Sequence, residues 1–257
     1  MQIGVCTGLD GLNSGVDGLA YIEPTVDALL CPKEDDAAFE AVRAKAQALS
    51  VLPRAVNCFL PGDLKTTGPH VDPAAVDARV RTACARAAKV GVEIIVFGSG
   101  GSRRVPDGFD RGAAGEQLVG HLKRFGRIAA KHGVTIVLEP LSSSDCNIVT
   151  SVDEGAGLVR AADHPNIRLL IDTYHMARDD DPVDSIRRAE GLIAHVHCAE
   201  GDGRGPLGAR GEDQRAYFRA LKDIGYEGRI SLECRWDDLE GQLPAGVAEL
   251  RRQWDGA

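Results

Sequence analysis

Four residues in the second half of the chain each close a short apolar run: Glu139 in VLEP, Asp172 in LLID, His197 in AHVH and Glu233 in SLEC. They are separated by 33, 25 and 36 residues, each about the length of one strand–helix repeat. Three carboxylates brought to one place repel and raise one another's pKa, and a divalent cation removes that conflict. Three carboxylates and one imidazole suit Mn2+, Mg2+ or Co2+ better than they suit a thiolate-rich zinc site, with Zn2+ still compatible. A single acidic residue at a strand end ordinarily caps a helix or joins a salt bridge. Four ligands at matched strand ends argue for a metal site.

The elements that must carry these residues follow from texture. Apolar, β-branched runs recur at IGVC, AYIEP, RAVNCFLP, VEIIVFG, VTIVLEP, IRLLID, LIAHVHC and RISLEC, and amphipathic Ala-rich stretches lie between most of them. The pattern predicts βα units on a parallel sheet buried on both faces. In DPAAVDARVRTACARAAKVG, Asp72 can cap, Pro73 suits the first turn and Gly91 suits the stop. Ser151 and Glu154 fit a capping box. The economical reading is α/β: a single (β/α)8 TIM barrel over residues 1–257, its active site at the C-terminal ends of the strands. An open doubly wound sheet is the rival. In a barrel, strand alternation points Thr135, Val137, Leu170, His195 and Ser231 inward with the four ligands, and turns Cys198 and Cys234 away from the mouth.

The formal net charge of −8 disfavours a broad nucleic-acid or anionic-membrane footprint. No apolar run approaches the roughly 20 residues that span a bilayer, and the opening MQIGVCTG enters a strand pattern directly, so a cytoplasmic protein is expected. Seven scattered cysteines without a CxxC pair give neither a disulfide framework nor a zinc knuckle.

The segments VLEPL, LLIDTYHM, AHVHCAE and ALKDIGYEGRISLE, in this order and spacing, resemble the xylose isomerase-like superfamily of TIM barrels. That group of sugar phosphate isomerases and epimerases includes D-tagatose 3-epimerase-like and hydroxypyruvate isomerase-like enzymes. The resemblance implies that Glu139, Asp172, His197 and Glu233 hold one divalent metal, with Mn2+ first among the ions named above. It implies that Glu139 and Glu233 are also the catalytic acid/base pair and that His175 contacts substrate. Glu200, on the loop after His197, takes a role that varies within the family, and with Asp145, Arg103 and Arg204 it is expected here to contact substrate. A homo-oligomer, dimer or tetramer, is a further implication. Two departures stand out. Where epimerase-like members carry a glutamate shortly after the first metal glutamate, this loop reads SSSDCN and offers Asp145. Where they carry an arginine six residues after the metal histidine, this chain has Gly203, with Arg204 beside it.

The chemistry expected is proton transfer on a sugar, sugar phosphate or small keto-hydroxy compound. A cation bound by a carbonyl oxygen and an adjacent hydroxyl acidifies the neighbouring C–H. Glu139 or Glu233 then removes the proton, giving a metal-stabilised cis-enediolate. Return of the proton to the other face is epimerisation, and return to the neighbouring carbon is isomerisation. Expulsion of a β-hydroxyl instead makes the same site a lyase or dehydratase, on a sugar-derived or cyclitol substrate. A non-catalytic binding protein is the third reading. The loop Gly98-Ser99-Gly100-Gly101-Ser102-Arg103 is either a cradle for phosphate or carboxylate, with Arg103 and Arg104, or an ordinary Gly-rich connection. Glu23 ends the second strand and either meets a substrate hydroxyl or forms a salt bridge. His121, on a helix, is expected at the surface.

Overall fold

Each of the eight apolar runs forms a strand. In the computed structural model, which describes residues 1–12 and 15–257, these are β1 (Gln2–Cys6), β2 (Leu19–Glu23), β3 (Ala55–Val56), β4 (Ile94–Phe97), β5 (Thr135–Leu138), β6 (Ile167–Asp172), β7 (Ile193–Cys198) and β8 (Arg229–Leu232). All pairings are parallel, in the order β2-β1-β8-β7-β6-β5-β4-β3. Parallel bridges Ile22–Pro53 and Thr25–Asn57 draw the two edges together, so the sheet is a nearly closed barrel with helices outside it. No helix among the described residues is long and apolar enough to cross a membrane.

Apolar runs without polar alternation are explained by two cores. Ile95, Phe97, Ile136 and Leu138 face outward into the large core shared with the helices. Their neighbours Ile94, Val96 and Val137 face inward and pack with Tyr21, Ala55 and Leu170 inside the barrel. The helix Pro73–Val90 starts where Asp72 accepts the Ala74 and Ala75 amides and stops at Gly91 in the left-handed region. The helix Val152–Ala162 begins with Ser151 accepting the Glu154 amide. The expected reciprocal bond shifts by one residue: the Glu154 carboxylate accepts from the Thr150 amide at 2.9 Å.

The lower interior is crowded by one ring. Tyr21 lies inside the barrel with its hydroxyl 2.7 Å from Ser231 Oγ. A Cβ on Gly4 would fall 2.2–2.6 Å from that ring, so β1 must carry glycine where β2 carries tyrosine. Gly4→Ala is therefore expected to lower folding stability by about 1–3 kcal/mol, the usual range for overpacking a rigid core. Urea denaturation followed by circular dichroism checks this; an unchanged midpoint contradicts the packing described.

Candidate metal centre

The strand ends deliver the four side chains by ordinary means. Asp172 ends β6 and caps the helix Thr173–Arg178: its Oδ1 accepts the Tyr174 amide at 2.8 Å, leaving Oδ2 for the barrel mouth. Glu139 and Glu233 follow β5 and β8 directly, their amides donating to Phe97 and Cys198 carbonyls of the neighbouring strands. His197 pairs in register with Asp172 on one side and Ser231 on the other. One donor atom from each of Glu139, Asp172, His197 and Glu233 lies within 4.8 Å of the others. Glu139, Asp172 and His197 are buried, and the Glu233 side chain is a quarter exposed.

His197 organises this cluster from both edges of its ring. Its Nε2 lies 2.8 Å from Glu23 Oε1. Its Nδ1 lies 3.2 Å from Glu139 Oε1 and 3.1 Å from Glu233 Oε2. Burial opposes a charge on His197, but Glu23 and Glu233 overcome it and raise the imidazole well above its ordinary value. Burial also pushes the Glu139 carboxyl up, whereas His197 and Arg204 outweigh burial at Glu233 and bring it down to about 2. The two glutamates therefore differ in their hold on a proton. The donor set fits a dication: hard oxygen donors, one imidazole, and negative charge that here draws a proton and a guanidinium.

That guanidinium is Arg204. Its Nη2 contacts Glu233 Oε2 and lies 3.4 Å from Asp172 Oδ2, and its Nε donates to the Glu233 carbonyl. The left-handed backbone at Arg204 (φ 56°) turns the side chain back toward Glu233 and Asp172, across the Tyr174 ring. An arginine one place later than the family pattern thus still reaches the barrel mouth. Glu200 departs from the expected substrate contact. It is fully buried, and its carboxylate accepts the amides of Gly208, Arg210 and Glu212, which tie down the loop that carries Arg204.

Arg103 also departs from expectation. The segment Gly100–Arg103 is a short helix, and Arg103 is fully buried with Nη1 and Nη2 donating to the Phe97 and Glu139 carbonyls. It pins the end of β4 to the end of β5 and is not free to meet an anion. Gly98 in the same loop matters for another reason: a Cβ there would lie 1.6 Å from Glu139 Oε2. His175 stands beside the cluster, outside the set of four. Its Nδ1 accepts the Ser142 amide at 3.1 Å, which leaves the hydrogen on Nε2, 3.6 Å from Asp172 Oδ2. Asp145 reaches within 3.6 Å of the same ring and is half exposed. Cys198 is buried and Cys234 turns its thiol onto the Cys198 carbonyl, away from the mouth as alternation predicts.

Sequence reasoning missed His121 and Cys6, and left Glu23 between two readings, of which the salt bridge is the one found. His121 is buried, not on the surface, and burial beside Arg124 lowers its pKa to about 4. Cys6 offers a sulfur within 4.8 Å of the Glu23 and His197 donor atoms. Glu23 turns into the barrel and bridges His195 and His197, each Nε2 at 2.8 Å. The signal for Glu23 was present, since it too is an acidic residue ending a strand.

A family model described as "Xylose isomerase-like TIM barrel" matches residues 14–254. An L-ribulose 3-epimerase of Methylomonas sp. is 34% identical over 138 residues, covering 53% of this chain and 48% of the relative. A putative hydroxypyruvate isomerase of Danio rerio is 28% identical over 160 residues, covering 59% and 57%. The matched region is thus about half the length of these curated relatives. Among solved structures, the D-allulose 3-epimerase from Methylomonas sp. in complex with D-allulose superposes with a TM-score of 0.80 at 22% identity, over 98% of this chain and 97% of that one. A structure described as IOLI protein with a binding zinc atom gives 0.71 at 18% identity, over 98% and 96%. At these identities the structural likeness establishes the fold.

Two outcomes follow from the geometry. A cation at His197 Nδ1 must displace the proton held there, so apparent affinity for Mn2+ should rise by up to about tenfold per pH unit between roughly pH 6 and 8. Calorimetry in buffers of different ionisation enthalpy should register the released proton, and pH-independent binding would contradict this. Gly98→Ala should displace the Glu139 carboxylate and weaken Mn2+ binding about tenfold or more, with little change in the circular dichroism spectrum.

Proposed function

Because the chain belongs to the xylose isomerase-like TIM-barrel family, we propose that it is a divalent-metal-dependent epimerase or isomerase of a ketose, sugar phosphate or small keto-hydroxy compound. The observation that carries this reading is the convergence of Glu139, Asp172, His197 and Glu233 on one point at the barrel mouth. Relatives named as ketose 3-epimerases support the substrate class. In this proposal one barrel spanning residues 1–257 provides the site and those four residues are the ligands. The resident ion is Mn2+, with Mg2+, Co2+ and Zn2+ as its competitors. A cytoplasmic homo-oligomer is part of the same reading.

A divalent cation here supplies charge that polarises a substrate carbonyl and acidifies the adjacent C–H. The protein's own residues do the rest. Glu139 and Glu233 form the acid/base pair, either one taking a proton from the substrate carbon and the other, or the same one, returning it. The two carboxylates stand on either side of His197 Nδ1, so a carbon placed between them can lose a proton to one and gain it from the other. His175 presents Nε2–H beside Asp172, where it can donate to a substrate oxygen. Arg204 offers a guanidinium at the same rim for a developing oxyanion.

Metal-loaded protein incubated in deuterium oxide with a panel of ketoses and keto-hydroxy acids should exchange the hydrogen on the carbon next to the carbonyl. Glu139→Gln and Glu233→Gln should each slow that exchange by about 10²–10⁴-fold. Water loss with formation of an enol product would instead indicate the lyase reading. Absence of exchange across the panel, or unchanged rates in both variants, would contradict proton transfer by this pair.

A further inference from the structure

Beneath the metal centre the barrel encloses a second polar group of residues. Glu23 is 1% exposed, and His195, Ser231 and Tyr21 are fully buried. The Glu23 carboxylate collects three donors. Oε1 receives His197 Nε2 at 2.8 Å. Oε2 receives His195 Nε2 at 2.8 Å and Ser231 Oγ at 2.6 Å. Tyr21 supports Ser231 from below at 2.7 Å.

We propose that Glu23 is the positioning residue of the metal centre: by holding Nε2–H of His197 it fixes the tautomer and ring plane that present Nδ1 to the cation. This rests on the ligand assignment made above. The argument is one of donors and acceptors. An ionised carboxylate only accepts, so the imidazole edge facing Glu23 must carry its hydrogen. Once a cation has displaced the proton at the opposite edge, the imidazole is neutral with its one hydrogen toward Glu23, and the opposite edge is a lone pair. That edge is the one 3.1–3.2 Å from the Glu233 and Glu139 oxygens. Negative charge behind a ligating imidazole also makes it a stronger donor. Glu23 need not touch metal or substrate to act, and His195 and Ser231 serve by holding the carboxylate in place.

Glu23→Gln separates this role from simple filling of space. The amide oxygen fits the Oε2 side, where two donors arrive, and this leaves the amide NH2 facing His197 Nε2. His197 must then accept at Nε2 and carry its hydrogen on Nδ1, where a cation should bind. Glu23→Gln is expected to weaken Mn2+ binding, measured by competition with a fluorescent chelator, by about 10–100-fold. Far-UV circular dichroism should be unchanged. Nitrogen-15 NMR of the zinc-loaded wild-type protein reads the same geometry without a variant: His197 should show bound Nδ1 and protonated Nε2. Coordination through Nε2, or a folded Glu23→Gln with wild-type affinity, overturns the proposal. If the wild-type protein takes up no divalent ion, the ligand assignment itself fails, and that outcome is distinct from failure of the Glu23 role.

Discussion

Three carboxylates at a buried barrel mouth repel one another, and the surrounding structure is arranged around that repulsion. Glu139, Asp172 and Glu233 approach a single imidazole, and positive charge is drawn to them from two directions. A proton on His197 stands between the two glutamates, and the Arg204 guanidinium lies against Glu233 and near Asp172. Both are replaceable by a dication, which satisfies the carboxylates through bonds instead of through hydrogen bonds. The pull on His197 comes from Glu23 beneath it together with Glu233, and the unequal hold on protons comes from burial at Glu139 and from His197 and Arg204 at Glu233.

Everything around the site serves to hold it. Below, Gly4 makes room for Tyr21, Tyr21 supports Ser231, and Ser231 with His195 secures Glu23 under His197. At the side, Arg103 ties the ends of β4 and β5, and Gly98 leaves space for the Glu139 carboxylate. Above, Glu200 gathers three amides and fixes the loop that delivers Arg204. Rigid support of this kind is what a coordination site needs, because ligand geometry has little tolerance for movement.

The fold was legible because a doubly buried strand can only be written as an apolar run, and most of the eight runs are followed by a helix, several with a side-chain cap. The convergence of Glu139, Asp172, His197 and Glu233 was legible for the same reason: a carboxylate or imidazole ending an apolar run is conspicuous. What escaped was orientation and burial. Arg103 and Glu200 have the residue types of substrate contacts, yet their charges are spent on backbone groups whose positions arise from tertiary packing. Arg204 sits one place off the family pattern, and only its left-handed backbone brings it to the ligands. Glu23 carried the same strand-end signal as the ligands, but its two histidine partners lie more than 170 positions away, beyond the reach of local pattern.

In the proposed function, one cation resolves the charge conflict at the barrel mouth. Anomalous diffraction from crystals grown with Mn2+ tests it most directly. One strong peak is expected about 2.0–2.2 Å from oxygens of Glu139, Asp172 and Glu233 and from Nδ1 of His197, with Arg204 withdrawn from Glu233. A peak held by other residues, or full Mn2+ exposure that leaves Arg204 against Glu233 with no peak between the four, would contradict it.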